Sequence, residues 1–240
     1  MFITELFEAH SAKHAAFCFG RMNPPTAGHK LLIDTVAKAS QGGDYFVFTS
    51  QTHDAKKNPL DYNTKIKFLK ALFPEHSAHV VNDSSLNTIM KVAAWLYNKG
   101  YRSVTFAAGG DRLADFEKLL NTYNGREDVP HYYKFDNISF VSSGDRDPDS
   151  DGVAGANATA ARVAAKEGDE AKFAQATRAG QLAPELYKAV RKGMNLAEDA
   201  SGYIPKNKRE AKDPRWANAL TVDVHPDTPY KNAKALRLVK

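Results

Sequence analysis

Apolar residues fall along the chain in short dense runs separated by stretches with helical spacing. The first run, Ala15-Ala16-Phe17-Cys18-Phe19, ends at Gly20 and reads as a strand buried on both faces. Arg21-Met22-Asn23-Pro24-Pro25 cannot be helix, because the two prolines hold it extended. After Gly28 the apolar positions become Leu31, Leu32, Val36 and Ala39, one face of a helix that stops near Gly42-Gly43. Asp44 to Thr49 reads as a second buried strand, followed by a polar loop with Lys56-Lys57-Asn58-Pro59. Asp61 caps a helix carrying Ile66, Leu69, Leu72 and Phe73. His79-Val80-Val81 predicts a short third strand, and Leu86, Ile89, Met90, Ala93, Leu96 and Tyr97 mark a helix closed by Gly100. Ser103 to Ala108 is the fourth strand, running through Gly109-Gly110-Asp111-Arg112 into a helix with Leu113, Phe116, Leu119 and Leu120. Asn137 to Val141 is the fifth, and helices are expected over 159–166, 169–177 and 184–194.

Strands apolar on both faces, alternating with amphipathic helices and without internal repeats, predict a Rossmann-like, doubly wound α/β fold. Its parallel sheet has five strands, followed by C-terminal helices. Ligands in such folds sit at the carboxyl ends of the strands. That rule puts residues 20–29, 49–58 and 108–112 on one rim.

Composition narrows the class. With 42% hydrophobic and 25% charged residues the chain is a globular protein and not a disordered one. No apolar run approaches the ~20 residues that span a bilayer. Met1 to Ala16 lacks the basic-then-apolar layout of a secretory signal. A single cysteine, Cys18, permits no internal disulfide, so a cytoplasmic setting is expected. Residues 201–240 carry nine basic and four acidic side chains, the whole net charge of +5. The body is therefore neutral, and charge gives no support for nucleic-acid binding by it. We divide the chain into a main domain, 1–197, and a basic extension, 198–240. The extension, with Lys206-Asn207-Lys208-Arg209, Trp216 and Ala219 to Val222, is either solvated, packed on its own domain as an extra strand, or docked on RNA or another chain.

The junction from Gly20 to His29 is the richest in chemistry. A helix N-terminus presents unpaired amides and partial positive charge to an anion. Gly28 leaves room for a phosphate to come close, His29 in the first turn is a donor, and Thr26 offers a hydroxyl or a plain helix cap.

Gly20-Arg21-Met22-Asn23-Pro24-Pro25-Thr26-Ala27-Gly28-His29 resembles the (His/Thr)-x-Gly-His signature of the nucleotidylyltransferase superfamily, which includes nicotinamide mononucleotide, phosphopantetheine and cytidylyl transferases. Asn23-Pro24-Pro25-Thr26 is most similar to the nicotinamide mononucleotide adenylyltransferase form, and the chain resembles a bacteriophage-encoded branch over roughly residues 15–195. A host cytoplasm would then be its setting. The family's second signature, Ile-Ser-Ser-Thr-x-x-Arg, has Ala156-Asn157-Ala158-Thr159-Ala160-Ala161-Arg162 in its place: Thr159 and Arg162 match, and Asn157 and Ala158 replace the serines. Gly109-Gly110-Asp111-Arg112 resembles the Gly-x-Asp-Arg segment beside the ribose and base, where Asp111 either accepts from ribose hydroxyls or only caps its helix.

The resemblance implies transfer of a nucleotidyl group, adenylyl by preference, from ATP or CTP with Mg²⁺ to a small phosphorylated acceptor, releasing pyrophosphate. His29, Thr26 and Arg162 would be catalytic. Gly20, Arg21, Asn23, Gly28, Lys57, Gly109, Asp111, Arg112 and Thr159 would bind nucleotide, with Lys56 as the alternative to Lys57. No protein metal site is expected. Asp147-x-Asp149-x-Asp151-Gly152 lacks the twelfth-position Glu of a calcium loop, and His10 and His14 have no third ligand nearby. There is no Walker A and no Gly-x-Gly-x-x-Gly sequence. Cys18 reads as core. A homo-oligomer is compatible with these features, and a non-catalytic nucleotide-binding or assembly module is the reading from another class.

Overall fold

The computed structural model describes residues 13–144 and 156–196, apart from the side chain of Asp111. His10, the 147–152 aspartate loop and the 198–240 extension lie outside the described residues. Strand β1 (His14–Gly20), helix α1 (Ala27–Ala39) and strand β2 (Asp44–Thr49) come first, then α2 (Tyr62–Leu72) and α3 (Ile89–Asn98). Strand β3 (Ser103–Ala108), α4 (Gly110–Tyr123) and β4 (Asn137–Ser142) follow. Three helices close the order, α5 (Ala158–Glu167), α6 (Glu170–Thr177) and α7 (Ala183–Gly193).

The sheet is parallel throughout, in the order β2-β1-β3-β4. Central β1 is sealed on both faces because its side chains alternate between two cores. Ala15 and Phe17 enter the core shared with Phe48, Phe106, α3 and α4, and Ala16 and Cys18 enter the one shared with Val47, Ile33 and Ile66. Burial pushes the Cys18 thiol up to about 12, in keeping with a packing role. From β1 the chain moves outward to β2, then returns to β3 on the other side. The crevice between the carboxyl ends of β1 and β3 is thus the switch point where such sheets bind ligands.

Among the described residues four strands form the sheet where five were expected. His79 belongs to a 3-10 helix, Pro74–His79, and Asp83 starts a turn by accepting from the Ser85 amide and hydroxyl. Only one parallel bridge fits between them, Val47 with Val80, with the Val81 amide donating to the Val47 carbonyl. The same turn delays α3, whose N-cap is Thr88, three residues after Ser85.

A third core belongs to the C-terminal helices. Ala161, Ala164, Phe173, Leu186 and Val190 pack together and take in Leu60 and Phe68 from before and within α2. Gly193 lets α7 approach the same loop: a Cβ there would fall 1.7 Å from the Pro59 carbonyl oxygen. Among the described residues no helix is long and apolar enough to cross a membrane.

Lys65 of α2 is fully buried, and its Nζ donates to the Ser50 carbonyl just beyond β2. Burial pulls its ammonium down from an ordinary 10.5 to about 8, against the attraction of Asp61. The unfolded chain keeps this proton up to the ordinary value, so the cost of burial is complete below pH 8 and is relieved as pH rises above it. Wild type should gain on the order of 2–3 kcal/mol relative to Lys65→Met between pH 7 and pH 10. Urea unfolding of both proteins at each pH checks this, and a pH-independent difference would show that the amine is not desolvated.

Candidate active site

The site is built where β1 ends. Beyond Gly20 the chain passes through Arg21, buried Met22 at φ 44 and a cis Asn23–Pro24 bond before entering α1. Two anchors at the end of β2 and just beyond it fix this path. The Thr49 hydroxyl donates toward the Gly20 and Arg21 carbonyls at 3.0 and 3.2 Å, and the Ser50 amide donates to the Gly20 carbonyl at 2.9 Å.

Thr26 is the N-cap of α1 and His29 is its third residue. The imidazole folds back: Nδ1 lies 3.0 Å from the Thr26 amide, which donates to it, and 2.9 Å from the Thr26 hydroxyl. The His29 amide in turn donates to the Thr26 carbonyl at 2.9 Å. In a capping box a Glu or Gln fills this third position, and here a histidine does. Because Nδ1 accepts an amide proton, the neutral ring carries its own proton on Nε2, making that corner a donor. His29 is 8% exposed, and it borders two adjoining cavities.

The larger cavity, about 210 Å³, collects the cations. Arg21, Lys57, Arg112 and Arg162 line it with His29 and Thr159, and Gly20, Asn23 and Gly109 complete its backbone floor. Arg162 sits one turn into α5, with Nη1 donating to the Asn23 carbonyl at 2.7 Å and Nη2 to the Thr159 hydroxyl at 2.9 Å. Its guanidinium is held below its usual range by burial and by the positive charge of Arg21, with Asp54 pulling the other way. Two like charges facing one cleft are a standing invitation to an anion. Arg112 lies 5.4 Å from the centroid of the Phe116 ring. Lys57 lines the cleft and Lys56 does not.

Lys57 owes its place to Asp54. That carboxylate accepts from the Lys57 amide at 2.7 Å, the Lys56 amide at 2.9 Å and the Asn58 amide group, which together hold its pKa down to about 2. The smaller cavity, about 40 Å³, is lined by Thr26, Gly28, Leu31, Gly109, Ser143 and Gly144 among others, and among the described residues His29 is its one ionisable side chain.

Twelve residues were singled out from the sequence, and all but one can be placed. Nine line the larger cavity, and Thr26 and Gly28 line the smaller. Asp111 stands in the first turn of α4, and its side chain is outside the described residues. Asn23 is at the cleft, but its carboxamide is engaged elsewhere: Nδ2 donates to the Leu60 carbonyl and Oδ1 accepts from the Leu60 amide. Sequence reading missed Ser143 and Gly144. Extending the rim rule to the fifth expected strand would have found them, since they follow β4 as Gly109 follows β3. It also missed the aromatic wall of Phe19 and Phe116. Asn157, the residue in place of a family serine, caps α5 by accepting from the Thr159 and Ala160 amides at 2.8 and 3.3 Å.

Residues 17–148 match the family model described as cytidylyltransferase-like, which is more than half of the chain. Thr159 and Arg162 lie beyond the matched stretch and are tied to it by the contacts just described. A comparison with curated proteins gives no match.

The Asp54 geometry fixes a pH response. A carboxylate with a depressed pKa supports its loop above the ordinary carboxylate range and releases it as pH falls toward that pKa. The Lys56 and Lys57 amide resonances should therefore titrate together with a midpoint of about 2, and Asp54→Ala should abolish that transition. A midpoint near 4, the ordinary range of about 3.9, would mean that the carboxylate is not holding the loop.

Proposed function

The chain belongs to the cytidylyltransferase-like family of nucleotidyltransferases, and from that we propose that it transfers an adenylyl group from ATP to a small phosphorylated acceptor such as nicotinamide mononucleotide. The observation that carries this reading is the reciprocal Thr26–His29 cap at the edge of a cleft holding Arg21, Lys57, Arg112 and Arg162. CTP as donor, or phosphopantetheine as acceptor, fits the same chemistry.

An oxygen of the acceptor phosphate attacks the α-phosphorus in line. The new O–P bond forms as the bond from Pα to the bridging oxygen breaks, and pyrophosphate leaves with that electron pair. The attacking phosphate is already anionic near neutral pH, so no general base is required. What must be overcome is repulsion between anions and their misalignment, and catalysis is positioning plus electrostatic stabilisation. His29 would donate from Nε2 to an oxygen on the α-phosphate, with Thr26 holding the ring. Thr159, Arg162 and Lys57 would hold the β- and γ-phosphates. Arg21 and Arg162 line the same cleft, where a bound polyphosphate would neutralise both charges. Asp111 would take the ribose, on the family resemblance.

Among the described residues no group of three His, Cys, Asp or Glu side chains is placed to hold a metal. The Mg²⁺ that the family resemblance implies would be carried by the phosphate oxygens and water of the nucleotide.

One observation favours a second reading, a nucleotide-binding module without turnover. The Asn157 carboxamide occupies the Thr159 and Ala160 amides at the start of α5, so those amides are not offered to a phosphate. Pyrophosphate release separates the two. With each NTP, Mg²⁺ and candidate acceptors, His29→Ala should lose on the order of 10²–10³ in turnover while still binding nucleotide. Arg162→Ala should raise KM for the nucleotide, and Arg162→Lys should recover only part of it, because an ammonium cannot make the two-pronged contact. A His29→Ala protein as fast as wild type would remove His29 from the mechanism, and tight triphosphate binding without turnover by wild type would establish the second reading.

A further inference from the structure

Asn23 is 2% exposed, and three segments of the rim meet on it. Its carboxamide makes two bonds to one backbone residue, Nδ2 to the Leu60 carbonyl at 2.8 Å and the Leu60 amide to Oδ1 at 3.0 Å. This copies the pairing between two peptide groups and demands one donor and one acceptor at a fixed spacing. Only asparagine provides both at this length. Its carbonyl accepts from Arg162 Nη1 at 2.7 Å. Leu60 is itself 1% exposed, in the core that holds Ala161 and Ala164 of α5. The links close a ring: Asn23 to Leu60, Leu60 through packing to α5, and α5 through Arg162 back to Asn23. Lys57 lies three residues before Leu60, and Arg21 two residues before Asn23.

We propose that Asn23 is a positioning residue for the triphosphate, setting through its side chain the place of Lys57 and through its carbonyl the place of Arg162. The proposal rests on the cleft being a triphosphate site, and it assigns Asn23 the spacing of the cations and not a contact with the ligand. Removing the carboxamide leaves the Leu60 amide and carbonyl buried without partners. The loop then shifts with its lysine, and Arg162 loses a fixed carbonyl to brace against.

The test titrates ATP, CTP and inorganic tripolyphosphate against wild type, Asn23→Ala, Asn23→Asp, Arg162→Ala and the Asn23→Ala/Arg162→Ala pair. Asn23→Asp keeps the volume and the bond from the Leu60 amide, so it serves if the alanine variant does not fold. Either Asn23 variant should weaken tripolyphosphate binding on the order of tenfold. On the Arg162→Ala background the further loss should be smaller, because the part of the effect that passes through Arg162 is already gone while the part through Lys57 remains. A purely structural residue would lower the melting point and leave the affinity of folded protein unchanged. Wild-type affinity in Asn23→Asp, or full additivity in the pair, would overturn the proposal. Hydrogen exchange distinguishes it from failure of the triphosphate reading itself. If wild type binds none of the three probes, that reading falls, and the ring is tested by exchange alone. Asn23→Asp should speed exchange in residues 54–60 and in the first turn of α5 together, and a rise confined to residues 54–60 would break the ring.

Discussion

The bond from the Thr26 amide to His29 Nδ1 is the constraint on which the rest of the site depends. An imidazole on a helix surface ordinarily rotates and exchanges tautomers. Here the backbone takes one nitrogen, and so decides which nitrogen carries the proton and which way the ring faces. The bond exists because Thr26 has extended backbone angles, φ −140 and ψ 161, at the mouth of α1. Pro24 and Pro25 deliver the chain in that extended state. A local cap thus produces a fixed donor.

Around that fixed point the cleft is assembled from distant parts of the chain. Strand order brings Gly20 and Gly109 together, because β1 and β3 are neighbours. Arg162 arrives from α5, 139 residues after the carbonyl it touches. Two of the cations also have local supports: Asp54 arranges the amides of the Lys57 turn, and Thr159 braces Arg162 from its own helix. The family resemblance and the match over residues 17–148 agree on the superfamily.

Much of this could be read from the sequence, for a reason visible in particular residues. β1 and β3 are apolar on both faces, and the helices between show a plain stripe, so the alternation was evident. Gly20, His29 and Gly109 followed from the rim rule. The fifth strand failed because Val80 and Val81 are apolar but only two residues long between a 3-10 helix and an Asp83 turn, and propensity does not measure room. The bonds made by Asn23 and Lys65 escaped for another reason. Their partners, Leu60 and Ser50, lie 37 and 15 residues away, and no periodicity encodes a side chain bonded to a remote backbone. Asn157 was visible as a departure from the family pattern, but that it would close the amides of α5 needed coordinates.

Leu60 and Phe68 have a consequence for how the molecule can be divided. Both belong to the stretch matched by the family, yet they are buried, at 1% and 2% exposure, in the core built by α5, α6 and α7. Cut at the end of the match, the chain would present a leucine and a phenylalanine to water and lose the helix that carries Arg162. The C-terminal helices are therefore no detachable accessory. The smallest autonomous module extends past them, and swapping that segment between relatives would require replacing its two apolar footholds in the first half as well.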